Sequence, residues 1–203
     1  MILDHIAALL QTWYRIDNLP PLAPFLLTRA PSLPAETREA LLVRPCGRDL
    51  EVGLFIAPEI VGRLAHRDPF QSLAEENLDD FCVAVEGISH WCCVLWKFQQ
   101  GTPVTQLELE IQAEIDKCLC CMWLLAMQGS SWNALHAKLF STYRIAATCP
   151  QAATRYHLAS LLAARFCAHM MERYRRRHLT RWHRRLREFY RLTHWQKLRA
   201  LSR

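Results

Sequence analysis

Glycine is scarce in this chain, with six in 203 residues. That leaves little room for a glycine-rich loop that cradles phosphates, and none is present, so nucleotide-dependent chemistry is disfavoured. Neither a Gly-x-Ser-x-Gly elbow nor a Ser-x-x-Lys in a suitable context occurs, which removes two common signatures of nucleophilic catalysis. Internal repeats, Gly/Ser linkers and low-complexity tracts are absent, so nothing calls for a second domain. Disorder is excluded by composition, because apolar residues make up 51% and charged residues only 22%.

Long apolar runs are missing too. The segment from Met1 to Leu10 carries Asp4 and no basic flank, so no signal peptide is expected. Phe81 to Phe98 is interrupted by Glu86, His90 and Lys97. Cys118 to Met127 is too short to cross a hydrocarbon layer of about 30 Å, so no transmembrane segment is expected. Nine Cys is an odd number for a disulfide framework, and Cys82, Cys92, Cys93, Cys118, Cys120, Cys121 and Cys167 lie inside apolar helical runs. There reduced thiols pack as small hydrophobes, which points to a reducing, cytoplasmic setting.

What is present in excess is positive charge at one end. Residues 165–203 hold thirteen Lys or Arg against Glu172 and Glu188, a charge of +11, whereas the twelve basic and seventeen acidic residues before them give −5.

The pattern along the chain is mainly α. Apolar positions at Ile2, Ile6, Leu9, Leu10 and Trp13 fit an amphipathic helix, followed by an extended connection through Pro20, Pro21, Pro24, Pro31 and Pro34, together covering 1–36. Alternation at Leu50, Val52, Leu54 and Ile56, after a polar turn, predicts a small β-hairpin over 40–57. A helical core is expected over 58–178. It opens on a short helix from Pro58, and capping-box spacings at Ser72/Glu75 and Thr105/Glu108 start helices running to about Gln99 and Gln128. Their short connection makes them an antiparallel pair. Further helices are expected over roughly Trp132 to Ile145 and from Pro150, and a basic amphipathic helix over 179–203.

Two constellations stand out. Glu86 and His90 are four apart on the first long helix, as are Glu110 and Glu114 on the second. Centring the hairpin near Thr102 sets His90 level with Glu114 and Val94 level with Glu110, with Glu86 about 6 Å further along. An imidazole among carboxylates suits an acid-base group or a divalent cation. However, di-metal bundles place the His three residues after the Glu, and here Ser89 stands there. Asp116 and Lys117 are expected to pair with charges on neighbouring helices, Arg155 and Arg165 being candidates. Cys118 and Cys121 form a Cys-x-x-Cys, but Cys92 falls opposite Gln112, leaving Cys118 about 9 Å away, so no shared metal is expected.

The second constellation is the tail. There Arg181, Arg184, Arg185 and Arg191 interleave with Trp182 and Trp195, a composition suited to an acidic protein surface, with nucleic acid as a further fit. The first expectation is therefore a non-catalytic interaction or regulatory protein that meets an acidic partner through this tail, with no resident metal or cofactor. The alternatives are an enzyme or metal-binding protein built on the Glu86, His90, Glu110 and Glu114 layer, or a nucleic-acid-binding protein.

Overall fold

The computed structural model describes residues 1–29, 32–131, 133–141, 150–175 and 179–201, the side chains of 173–182 excepted. Its centre is an antiparallel pair, α3 (Glu75–Gln99) and α4 (Gln106–Met127), joined by the short turn around Gly101. On one side of α3 lie α1 (Ile2–Tyr14) and α2 (Pro58–His66); α6 (Pro150–Arg175) packs along α4, with α5 (Leu135–Phe140) against both. The chain closes with α7 (Leu179–Arg191) on α1 and α6, and α8 (His194–Leu201) on α6. The class is mainly α, as the periodicities predict.

The hairpin is present as β2 (Glu39–Cys46) and β3 (Asp49–Ile56), registered from Glu39↔Ile56 to Cys46↔Asp49. Gly47, at φ 64°, supplies the left-handed residue the two-residue turn requires. A third strand extends it, since β1 (Leu26–Leu27), within the proline-rich connection, pairs parallel to β3. Two residues carry no readable alternation, and five prolines around them mask the signal. The sheet covers α3 through both β2 and β3.

Helix boundaries shift where the capping chemistry differs from the expected one. Ser72 does not start α3. Asn77 does, its carbonyl accepting from Ala74 N–H at 2.9 Å and its amide donating to the carbonyls of Ser72 and Arg67. Thr105 does cap α4, accepting from Glu108 N–H at 3.1 Å, but the Glu108 side chain does not reach back. The helix expected over Trp132 to Ile145 is described only as the six residues of α5; 132 and 142–149 lie outside the described residues. The terminal basic segment is two helices, broken at Leu192 and Thr193, where Gln196 accepts from Thr193 N–H. By length and composition α3 is the one described helix able to cross a membrane, and 78% of its apolar window is buried inside the fold.

A polar column runs through the core between these elements. Glu108, 0% exposed, holds Lys97 Nζ at 2.9 Å and Lys197 Nζ at 3.0 Å. Lys97 also donates to Leu192 O, and Lys197 to Gln112 Oε1. Gln112 in turn donates to Tyr14 Oη and to Asp116, which also accepts from Ser89 Oγ at 2.6 Å and from Tyr14 Oη. Burial pushes the Asp116 carboxyl up to about 6, against the pull of those three donors. Asp116 is thus satisfied by hydroxyl and amide donors rather than by Arg155 or Arg165. Two ammonium groups and two carboxylates balance, and the column ties α1, α3, α4 and α8 together.

Replacing Glu108→Gln keeps the side-chain shape and leaves two buried ammonium groups facing one remaining carboxylate. The expected loss is about 3–5 kcal/mol in urea unfolding, the usual cost of breaking a buried pair. A loss under about 1 kcal/mol would mean the lysines are hydrated rather than buried.

Candidate functional site

The hairpin of α3 and α4 brings together three of the four singled-out residues and sorts them differently from the height argument. The axial register itself is as expected. Ser89 bonds Asp116 and Lys97 pairs with Glu108, both pairs being equidistant from a point beside Thr102. His90 nevertheless faces Glu110, with Nε2 3.7 Å from Oε2, and not Glu114. Val94, level with Glu110, offers no polar partner, so the long Glu110 side chain reaches a turn along the helix. Glu114 is claimed by Lys117 at 2.8 Å, three residues on in its own helix, and the same ammonium donates to Glu86 at 2.9 Å. Lys117 thus joins a carboxylate of its own helix to one on α3.

Two residues the helices alone did not reveal complete the group. Glu39, the first residue of β2, lies against His90 Nδ1 at 3.4 Å. Its approach depends on Gly87, because a Cβ there would stand 2.9 Å from Glu39 Cγ and 3.1 Å from Leu54 Cδ1. A glycine between Glu86 and His90 in an apolar helix was the available signal that something comes close. From α6, Arg155 Nε stands 3.8 Å from Glu110 Oε1. The sequence offered Arg155 as a partner for Asp116 or Lys117 of α4, and it meets Glu110 instead.

The electrostatics follow from crowding carboxylates around one imidazole. Burial alone would pull the His90 pKa down; the hydrogen bond and charge of Glu39, then the charges of Glu110 and Glu86, override it and hold the imidazole at about 9. Burial raises Glu110 to about 7 in spite of His90 and Arg155. Glu86 is also desolvated, yet Lys117 and His90 bring it below the ordinary range, and burial raises Glu114. One oxygen or nitrogen from each of Glu86, His90 and Glu110 lies within 4.8 Å of the others, and among the described residues no other group of three His, Cys, Asp or Glu does so.

His90 and Glu110 form part of the wall of a cleft of about 770 Å³ between the hairpin, the α3–α4 turn and α6. Leu41, Val43, Val94 and Leu109 give it apolar sides, and Arg155 and Tyr156 stand beside the carboxylate. Burial and the Glu110 charge keep the Tyr156 phenol protonated, its pKa pushed up to about 12. Both His90 Nε2 and Arg155 Nε are buried without a hydrogen-bond partner.

The tail is placed differently from a free interaction helix. Leu186, Phe189 and Tyr190 are buried, and Tyr190 stacks on Tyr14 with ring centroids 4.0 Å apart. Arg191 donates to the carbonyls of Arg15 and Arg187 and lies 6.0 Å over the Trp96 ring, while Arg187 donates to Trp13 O. Arg184, beside Glu188, and Arg185 are exposed, as is Trp195 at 72%. The side chains of Arg181 and Trp182 lie outside the described residues. Comparison with protein-family models, curated proteins and solved structures gives no match for this chain.

The Gly87 contact has a measurable consequence. Gly62, in the middle of α2, has nothing within 4 Å of where an added methyl would stand, so Gly62→Ala should gain up to about 1 kcal/mol from helix propensity. Gly87→Ala carries the same propensity gain but must push Glu39 aside, and should lose stability relative to wild type in denaturant titration. Equal gains at both positions would show that Glu39 does not rest on α3.

Proposed function

We propose that the cleft is the functional site and that this chain binds and acts on a small molecule there. The observation that carries this reading is the pairing of apolar walls with two buried nitrogens, His90 Nε2 and Arg155 Nε, that stand 3.7 and 3.8 Å from the Glu110 carboxylate and make no hydrogen bond. Native interiors satisfy most of their buried polar groups. Of the described buried side-chain atoms without a hydrogen bond, these two belong to residues that line the cleft, whereas those of Trp91, Glu108 and Tyr190 do not. The cleft volume falls in the range of small-molecule sites, which are mostly apolar with a few convergent polar groups. A ligand with an apolar body against Leu41, Val43 and Leu109 and a polar head at His90, Glu110 and Arg155 fits this lining. All the described cysteines are free, and burial raises the thiols of Cys92, Cys93, Cys120, Cys121 and Cys167, which supports a reducing, cytoplasmic setting.

A thermal-shift screen of small organic acids, amines and esters tests this. A ligand at about 100 times its Kd adds about 2.7 kcal/mol and raises the melting temperature accordingly. Leu109→Trp, which fills the cleft, and Arg155→Met should both abolish the shift. Compounds that shift wild type and both variants alike would overturn the reading, as would a screen without hits.

A second reading, binding of an acidic partner by the tail, is supported by Trp195 standing 72% exposed on a terminal segment that also exposes Arg184 and Arg185. Substituting Arg184→Gln, Arg185→Gln and Trp195→Ala together should leave the melting temperature nearly unchanged and release the chain from immobilised polyglutamate at low salt. Retention that survives the triple substitution counts against it. Preferential retention on duplex DNA, with a steep salt dependence, favours nucleic acid instead.

A further inference from the structure

We propose that Glu86, His90 and Glu110 form a binding site for one divalent first-row metal ion, ligated by His90 Nε2 and an oxygen of each carboxylate. Glu39 orients the imidazole from its other side. In use this inference rests on the cleft reading, because two of the three ligands line that cleft; in binding it stands on its own geometry.

The ligand atoms come first. One ligand atom from each of the three residues lies within 4.8 Å of the others, and Nε2 stands 3.7 Å from Glu110 Oε2; bonds of about 2.1 Å to a common ion place ligand atoms roughly 3–4 Å apart. Glu86 and Glu110 have enough side-chain freedom to close the difference. The imidazole supplies the independent observation. His90 is 8% exposed, its Nε2 has no hydrogen-bond partner, and that atom points at Glu110. Its Nδ1 faces the Glu39 carboxylate at 3.4 Å. A histidine that ligates a metal through one nitrogen and gives its other N–H to a carboxylate has this arrangement, since the outer carboxylate fixes ring orientation and raises ligand basicity.

Charge points the same way. Four carboxylates, Glu39, Glu86, Glu110 and Glu114, converge here, and among the described residues Lys117 and Arg155 are the permanent cations that pair with them directly. Arg38, the next guanidinium in reach, is taken by Asp79 and Asp80. The protonated imidazole is the third cation of the group, and a divalent ion bound at Nε2 would displace that proton and take over its role as counter-charge. Lys117 and Arg155 then hold Glu114, Glu86 and Glu110 from the outside. One nitrogen and two carboxylate oxygens make a fairly hard ligand set, suited to Mn²⁺, Fe²⁺ or Zn²⁺, and no thiol belongs to it.

Mn²⁺ alone is the probe, because its weak affinity for sulfur keeps the nine cysteines out of the measurement. The full chain, stripped with chelator, should take up one Mn²⁺ per molecule by calorimetry, and pulsed electron paramagnetic resonance should show ¹⁴N coupling from an imidazole. Glu39→Gln should weaken binding about 10–100-fold, as loss of an outer-shell partner does, and Glu86→Gln and Glu110→Gln at least as much. His90→Gln should abolish the ¹⁴N coupling; if that variant does not fold, the three carboxylate variants decide the matter. Mn²⁺ uptake is read without any organic ligand, so that a failed ligand screen and a failed metal site remain distinguishable. No uptake at millimolar Mn²⁺ overturns the proposal. So does an ion bound without ¹⁴N coupling, or one indifferent to Glu86→Gln and Glu110→Gln.

Discussion

Much of this fold hangs on one carboxylate placed between two ammonium groups. Glu108 lies out of reach of water with Lys97 and Lys197 against it, and each of the three charges would be prohibitively costly alone in that position. Their mutual satisfaction fixes where α3, α4 and α8 meet. From that level Gln112, Tyr14, Asp116 and Ser89 carry polar contacts onward to α1 and along the α3–α4 seam. Apolar packing supplies most of the driving force for folding but is tolerant of sliding; a balanced charge column is not. Register between α3 and α4 is thereby held, and with it the relation of Glu86 and His90 on one helix to Glu110 and Glu114 on the other.

The two polar layers of the α3–α4 pair differ in a way that separates structure from chemistry. In the column around Glu108, cations and carboxylates balance. Around His90 the imidazole is held at about 9 and the Glu110 carboxyl at about 7, and the layer borders an open cleft. Both layers use the same residue types on the same two helices. What distinguishes the second is that β2 brings a further carboxylate across the bare backbone at Gly87, and α6 sets Arg155 at the rim.

The mainly α class, the hairpin and the paired long helices were legible in the sequence because each rests on a local signal. Apolar residues recur at three and four, side chains alternate from Leu50 to Ile56, and Thr105 precedes an apolar run. Strand β1 was not legible, since a two-residue parallel pairing depends on β3, which lies well beyond it in the chain. The start of α3 is hidden because Ser72 and Glu75 mimic a cap that Asn77 makes. At the site, Glu86, His90 and Glu110 could be picked out by helical spacing, but the choice of Glu110 over Glu114 as the partner of His90 turned on the side-chain needs of Val94 and Lys117. Glu39 arrives from a distant segment and left almost no local trace, while Arg155 was read as a charge partner for α4 but for Asp116 or Lys117 rather than Glu110. In the tail, the amphipathic pattern foretold a buried stripe and an exposed basic face, though not that Arg187 and Arg191 would be spent on the carbonyls of α1 and its C-terminal turn.

The position of Lys197 also bears on how the molecule is made. Glu108 and Lys97 are synthesised close together, but the second ammonium follows 89 residues after Glu108 in the sequence, on the last described helix. At ordinary translation speeds it leaves the ribosome roughly 5–20 s after Glu108. During that interval the α3–α4 hairpin has an incomplete charge column and a flank where α8 will pack, a state open to water and to nascent-chain chaperones. Completion of the core is thus tied to delivery of α8, which makes this basic segment a latch on the fold as much as a surface.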